Sequence, residues 1–322
     1  MNDASLQRQC SWQRQCSWSD LRYDEPLAGY VTWRAGGVAQ RLFAPASLAE
    51  LQVFLAQQPG SEPLHWLGLG SNLLVRDGGV RGTVILTRVG LNAMQPLGDG
   101  RWRVEAGASC AKVARATVRA GCAGVEFLAG IPGTLGGALA MNAGAFGGEM
   151  WEWVERVETV NRWGQCFTRC ADAFTIGYRH VLGPPGEVFV AAILRLHPVD
   201  APQAALAWQR IQALLEKRKQ TQPIGTFNCG SVFRNPDANE HGGDPVKQYA
   251  GGLIERAGLK GLACGDAYVS EKHANFIINR GRARAADLET LMQWVQQRVY
   301  ERFGIWLRPE VKIWGENLVD SG

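Results

Sequence analysis

Long apolar runs are missing from this chain. Nowhere does it hold the roughly 18–20 consecutive apolar residues that a bilayer crossing needs. The first residues also lack the apolar centre of a secretory signal, so the expected location is cytoplasmic. Excess charge of either sign is missing too. With 34 Lys and Arg against 30 Asp and Glu, the formal net charge is +4. That excludes the basic footprint of a nucleic-acid binder but leaves room for small anionic ligands. The short runs Lys217-Arg218-Lys219 and Arg280-x-Arg282-x-Arg284 have no interleaved aromatics and read as solvated faces. None of the eight cysteines forms a Cys-x-x-Cys, and Cys166 and Cys170 have no companion pair at zinc-site spacing. Reduced thiols and no metal are therefore expected. The P-loop pattern, the Gly-x-Ser-x-Gly elbow of hydrolases and a dinucleotide-binding strand–glycine–helix unit are all absent.

Apolar residues make up 46% and charged residues 20%, enough to build a core. A length of 322 residues suggests two or three units. Residues 7–12 (Gln-Arg-Gln-Cys-Ser-Trp) recur at 13–18, a single tandem hexapeptide inside what reads as a tail over 1–22. Ordered structure is expected from about Leu27. Ser47 and Glu50 have capping-box spacing ahead of a helix to Gln57. Leu64–Leu67, Thr83–Leu86 and Arg101–Glu105 read as strands, Cys110–Ala120 as a helix closed by Gly121, and 153–160, 165–168 and 188–196 as antiparallel strands. This is an α+β order without regular βαβ spacing. His197 to Pro202 reads as a linker, and a moving C-terminal domain is expected from it. Beyond it come helices over 204–219 and 249–257, a strand at 276–279, a helix capped by Asp287 and running to Phe303, and a closing strand at 311–314.

Glycine is plentiful, and it clusters. Gly68-Leu69-Gly70-Ser71-Asn72 ends one apolar run, and Gly130-Ile131-Pro132-Gly133-Thr134-Leu135-Gly136-Gly137 follows about 60 residues later. Either could be a plain tight turn. Together they suggest one large phosphate-bearing cofactor held from two sides, because glycine admits close backbone approach and turn N–H groups bind anions. Asn142-Ala143-Gly144-Ala145 extends the second turn with small residues. In Gly177-Tyr178-Arg179-His180, Arg179 is either a surface charge or a fork for carboxylate or phosphate, and His180 reads as structural. Ser231, in Gly230-Ser231-Val232-Phe233-Arg234-Asn235-Pro236, either caps structure or delivers a proton. Ser270-Glu271-Lys272-His273-Ala274-Asn275-Phe276 packs polar side chains at a strand entrance, as sites do. Glu310, in Arg308-Pro309-Glu310-Val311, reads by itself as a surface residue.

In this order, with Tyr30-Val31-Thr32-Trp33-Arg34-Ala35-Gly36-Gly37 and Gly251-Gly252-Leu253-Ile254-Glu255, these motifs resemble the UDP-N-acetylenolpyruvoylglucosamine reductase family over about residues 25–316. The resemblance implies an α+β protein. A two-lobed FAD-binding region of the vanillyl-alcohol-oxidase type (23–205, lobes about 23–90 and 91–205) would precede a C-terminal α/β substrate domain (206–316), with tails at 1–22 and 317–322. It implies non-covalent FAD, NADPH as reductant and a UDP-N-acetylglucosamine enolpyruvate substrate that receives hydride at its methylene carbon. A monomer with neither nucleic-acid nor membrane partner is expected.

By the same resemblance, Arg179 would hold the substrate carboxylate, Ser231 would donate the proton, and Glu310 would be protonated to stabilise the anionic intermediate. Gly68, Gly70, Ser71, Asn72, Gly133, Thr134, Gly136, Gly137, Asn142 and Arg34 would hold FAD. Tyr178, Arg218 and Asn235 would contact the substrate. The chain departs from the family at Thr221, where a basic residue is usual, and at Trp33, where phenylalanine is usual. The short interval between Arg179 and Ser231 matches the family's shorter subtype, which lacks a tyrosine-bearing loop over the substrate. Other readings remain: an FAD oxidase of the same fold acting on an alcohol or sugar, or a flavin-binding protein without turnover.

Overall fold

A computed structural model describes residues 18–237 and 249–318. The duplicated hexapeptide lies almost wholly outside the described residues. Order begins earlier than expected. Trp18 meets the stacked rings of Phe43 and Phe54 edge-on, and the strand Leu21–Pro26 runs antiparallel to Val38–Phe43. These two, with Val80–Leu86 and Leu64–Leu67, form a four-stranded sheet in the spatial order Leu21–Pro26, Val38–Phe43, Val80–Leu86, Leu64–Leu67. The last two pairings are parallel. The helix Leu48–Ala56 covers the sheet with Leu51, Phe54 and Leu55. The capping box at its start is only half formed. Ser47 Oγ accepts from Glu50 N–H, but the Glu50 carboxylate turns to Ala46 N–H and to Ser19.

A second lobe is built on five antiparallel strands, Cys166–Cys170, Val154–Asn161, Glu187–Arg195, Arg101–Glu105 and Met94–Gly98. The helix Cys110–Arg119 packs Val113, Ala114 and Val118 into its core. The two lobes share a cluster in which Phe43, Leu51 and Ile85 meet Val160 and Val190.

The linker reading of 197–202 is overturned. His197–Pro198 pairs with Cys122–Ala123. Asp200 caps the next helix, accepting Gln203 N–H at 2.9 Å while its own N–H donates to Gln203 Oε1, and Ala201 and Pro202 are already helical. That helix, Ala201–Thr221, buries Ala207 and Ile211 in the core of the second lobe. The expected boundary between 205 and 206 would instead cut this helix and assign residues 206–221 to the C-terminal unit.

The C-terminal unit holds the helices Ala250–Arg256 and Ala285–Phe303 and a three-stranded sheet ending in Ile277–Asn279. The N-cap of the long helix is Arg284, not Asp287, which sits one turn in and accepts Arg284 N–H. Gly304, at φ +71, ends that helix in the left-handed conformation. The closing strand Lys312–Trp314 does not complete this unit. It crosses to the first lobe and pairs parallel with Leu73–Val75. Trp33 crosses the other way. It is fully buried in the C-terminal core, its Nε1 donates to Ile277 O at 2.8 Å, and its carbonyl accepts from Asn279 Nδ2. Among the described residues no helix is long and apolar enough to cross a membrane.

Candidate functional site

A cavity of about 780 Å³ opens where the two lobes and the C-terminal unit meet. Its size suits a cofactor or drug-sized ligand, whose sites span about 300–1,000 Å³. Both glycine turns line it, through Gly68, Gly70, Ser71, Asn72, Gly133, Thr134 and Gly137. The turns touch. A Cβ on Gly68 would lie 2.4 Å from Thr134 Oγ1. Gly70, at φ +67, leaves no room for a side chain because a Cβ would meet the Tyr30 carbonyl oxygen at 2.4 Å. Gly133 and Gly137 face the cavity. A Cβ on Gly133 would have nothing nearer than Ser71 Oγ at 3.6 Å, and one on Gly137 nothing nearer than Thr134 Oγ1 at 3.9 Å. Side chains there would fill ligand space, which is the cradle a bulky phosphate-bearing group requires.

Arg179, Ser231 and Glu310 line the same cavity. Arg179 lies at the tip of the hairpin Thr175–Gly177/His180–Leu182. Its guanidinium donates to Glu310 Oε1 at 3.1 Å, Gly144 O at 2.9 Å and Asn142 O at 3.3 Å. Ser231 and Glu310 come from two extended segments laid side by side. Glu310 N–H donates to Val232 O at 2.8 Å, and Phe233 bridges to Pro309. Asn275 fixes this pair from behind, accepting Phe233 N–H and donating to Phe233 O. Burial pushes the Glu310 carboxyl above the usual carboxylate range, against the opposing pull of Arg179 and Arg234.

Tyr178, Arg218 and Asn235 also line the cavity. Arg218 has no carboxylate partner among the described residues and donates to Gln222 Oε1, and burial pushes its guanidinium down. Asn235 Oδ1 accepts Ala250 N–H at 3.2 Å, and burial pushes the Tyr178 phenol up.

Three expected cofactor residues stand apart from the cavity lining. Arg34 is exposed and donates to Gly29 O. Gly136 packs on Ala106, where a Cβ would meet Ala106 Cβ at 2.9 Å. Asn142 is buried and spans Glu149 and Trp151 N–H; with its carbonyl on Arg179, it positions that arginine. Asn72 does line the cavity, and it also donates to Glu310 O and accepts Lys312 N–H. Of the polar run from Ser270, Asn275 and Phe276 reach the cavity, whereas Ser270 Oγ only accepts Lys272 and His273 N–H.

Motif reading missed Lys312 and Trp314. With Glu310 they recur every second residue and line the cavity, an alternation that was visible in the sequence. Phe146, which also lines it, left no such signal. Among the described residues no three His, Cys, Asp or Glu side chains gather as a metal set. Cys110, Cys122, Cys166, Cys170, Cys229 and Cys264 are free thiols.

Two family models match the chain: an FAD binding domain over residues 39–168 and the UDP-N-acetylenolpyruvoylglucosamine reductase C-terminal domain over residues 222–314. The UDP-N-acetylenolpyruvoylglucosamine reductase of Alkalilimnicola ehrlichii is 57% identical over 297 residues, covering 92% of this chain and 95% of the relative. That of Methylococcus capsulatus is 54% identical, covering 91% and 92%. The crystal structure of UDP-N-acetylenolpyruvylglucosamine reductase from Thermus caldophilus superimposes with a TM-score of 0.76 at 33% identity, covering 92% of this chain and 98% of that one.

Proposed function

The chain belongs to the UDP-N-acetylenolpyruvoylglucosamine reductase family, and from that premise we propose that it adds a hydride and a proton across the enolpyruvyl double bond of UDP-N-acetylglucosamine enolpyruvate. NADPH is the reductant and UDP-N-acetylmuramate, a peptidoglycan precursor, the product. One observation carries the reading: Arg179, Ser231 and Glu310 line the same cavity as a pair of touching glycine turns.

Gly68, Gly70, Ser71, Asn72, Gly133, Thr134 and Gly137 would hold the FAD diphosphate, with Gly136 packing beneath them. Bound there, FAD would supply the hydride that goes to the methylene carbon. Addition leaves negative charge on the carbon beside the substrate carboxylate. Arg179 holds that carboxylate and faces the growing charge. Burial favours the protonated form of Glu310, and in that form its carboxyl would donate a hydrogen bond to the growing charge rather than repel it. Ser231 Oγ gives its proton to the carbon and recovers one from solvent. Arg218, Asn235 and Tyr178 hold the UDP end.

The test is optical and anaerobic. NADPH should bleach the flavin absorption of the purified protein, and the enolpyruvyl substrate should restore it with one equivalent of UDP-N-acetylmuramate formed. Bleaching by a simple alcohol and restoration by oxygen, without response to the UDP-sugar, would mark an oxidase instead.

A further inference from the structure

The hairpin that presents Arg179 has a turn its sequence does not suit. Gly177 pairs with His180, so only Tyr178 and Arg179 reverse the chain. Arg179 sits at φ +54, a left-handed conformation that such a turn normally gives to glycine or asparagine. Its side chain is committed to Glu310, Asn142 and Gly144, and its carbonyl is held by a second arginine: Arg234 Nη2 donates to Arg179 O at 3.0 Å. Arg234 is anchored independently. Its N–H donates to Arg308 O at 2.9 Å, in the same ladder that sets Ser231 beside Glu310. Among the described residues it has no carboxylate within ion-pair reach, and its buried Nε has no partner. One side chain therefore ties the hairpin of the second lobe to the paired segments of the C-terminal unit.

We propose that Arg234 is a positioning residue for the reduction, clamping the Arg179 turn onto the ladder that carries Ser231 and Glu310. This rests on the reaction read above. Without the clamp, the strained turn relaxes and the Arg179 guanidinium leaves its register with the substrate carboxylate. A misplacement of about 1 Å at a reacting centre costs roughly 10²-fold. A second effect is electrostatic. The groups facing Glu310 are Arg179 and Tyr178 from the hairpin, Arg234 from the ladder and the buried Cys229 thiol before it. Arg234 is one of two cations that favour the ionised carboxylate, so its removal lets Glu310 keep its proton to higher pH.

In the holoenzyme, Arg234→Met should retain flavin and be reduced by NADPH within about threefold of the wild-type rate, yet be reoxidised by the enolpyruvyl substrate ~10²-fold more slowly. The falling alkaline limb of reoxidation should move to higher pH. Arg234→Lys restores the charge, so the limb should return to its wild-type position while the rate recovers only in part. Loss of flavin, equal slowing of both half-reactions, or wild-type reoxidation with an unmoved pH limb in Arg234→Met would overturn the proposal. Should Arg234→Met not fold, Arg234→Lys carries the test: selective slowing of reoxidation supports the clamp, and wild-type rates or equal slowing overturn it. Failure of the wild-type flavin to be reoxidised by the substrate would sink the reaction itself, an outcome distinct from all of these.

Discussion

Glu310 lies between opposing influences, with burial pushing its carboxyl up and Arg179 and Arg234 pulling it down, and burial prevails. Its folded pKa therefore lies above the unfolded one. The stability it contributes is full below the ordinary carboxylate range and is lost as pH rises through the raised value. Glu310→Gln should thus gain thermal stability relative to wild type between pH 4 and pH 8, measured as the difference in Tm at the two ends; a constant difference would exclude a raised pKa. In the proposed reaction Ser231 acts only when the carbon takes its proton. Ser231→Ala should leave bleaching by NADPH near normal and slow reoxidation by ~10²–10⁴-fold, the usual cost of losing a general acid. Slowing of the NADPH step instead, or less than about a fivefold loss in the second, would reduce Ser231 to a cap. Gly70 is a poor probe of cofactor binding, because a Cβ there strikes the Tyr30 carbonyl oxygen and disturbs the fold. Gly133→Val is cleaner. It should change unfolding free energy by less than about 0.5 kcal/mol and weaken FAD binding at least ~10-fold, or about 1.4 kcal/mol, read from flavin content after dialysis.

Elements are joined across units by capping as well as by packing. Asp77, on the loop after Leu73–Val75, accepts Ala285 N–H at 3.0 Å and Ala286 N–H at 2.9 Å, capping the helix Ala285–Phe303 from the first lobe. Beside it Arg76 makes a two-pronged bond to the Glu289 carboxylate. The sequence places an acid near the start of this helix, and Asp287 does accept Arg284 N–H, but the N–H groups that follow find their acceptor some 200 positions away. Asp77→Ala should lower stability by about 0.5–2 kcal/mol, the usual worth of such a cap, seen as a lower urea midpoint at unchanged slope. An unchanged midpoint would mean that water replaces the carboxylate at no cost.

At the scale of the whole molecule, the first lobe holds both neighbours. It shares the Phe43–Ile85–Val190 cluster with the second lobe. The parallel strand pair, Trp33 and Asp77 join it to the C-terminal unit. A C-terminal domain swinging on residues 198–202 has no hinge in this architecture, since those residues are paired, capping or helical. Small-angle scattering profiles of the free protein and of protein saturated with UDP-sugar should therefore superimpose. A change in radius of gyration would show that the cleft closes by a route other than this segment.

The local elements were legible in the chain alone, because their causes are local. Ser47 caps by reaching three residues on, Gly121 and Gly304 stop helices by their own left-handed conformation, and strand alternation is written in neighbouring residues. The ordered motifs carried the family, and with it the proposed roles of Arg179, Ser231, Glu310 and the glycine turns, because each motif is contiguous in the chain. Which of these meet depends on the folded arrangement of distant segments. Arg34 and Gly136 sit inside matching motifs yet stand off the cavity, and Asn142 supports Arg179 from behind. Arg234 on the Arg179 carbonyl, Asp77 on a distant helix, Trp33 in the C-terminal core and the crossing of Lys312–Trp314 to the first lobe are contacts between segments far apart in sequence. Their partners are chosen by packing and by unmet backbone hydrogen bonds, and neither can be read from residues considered one neighbourhood at a time.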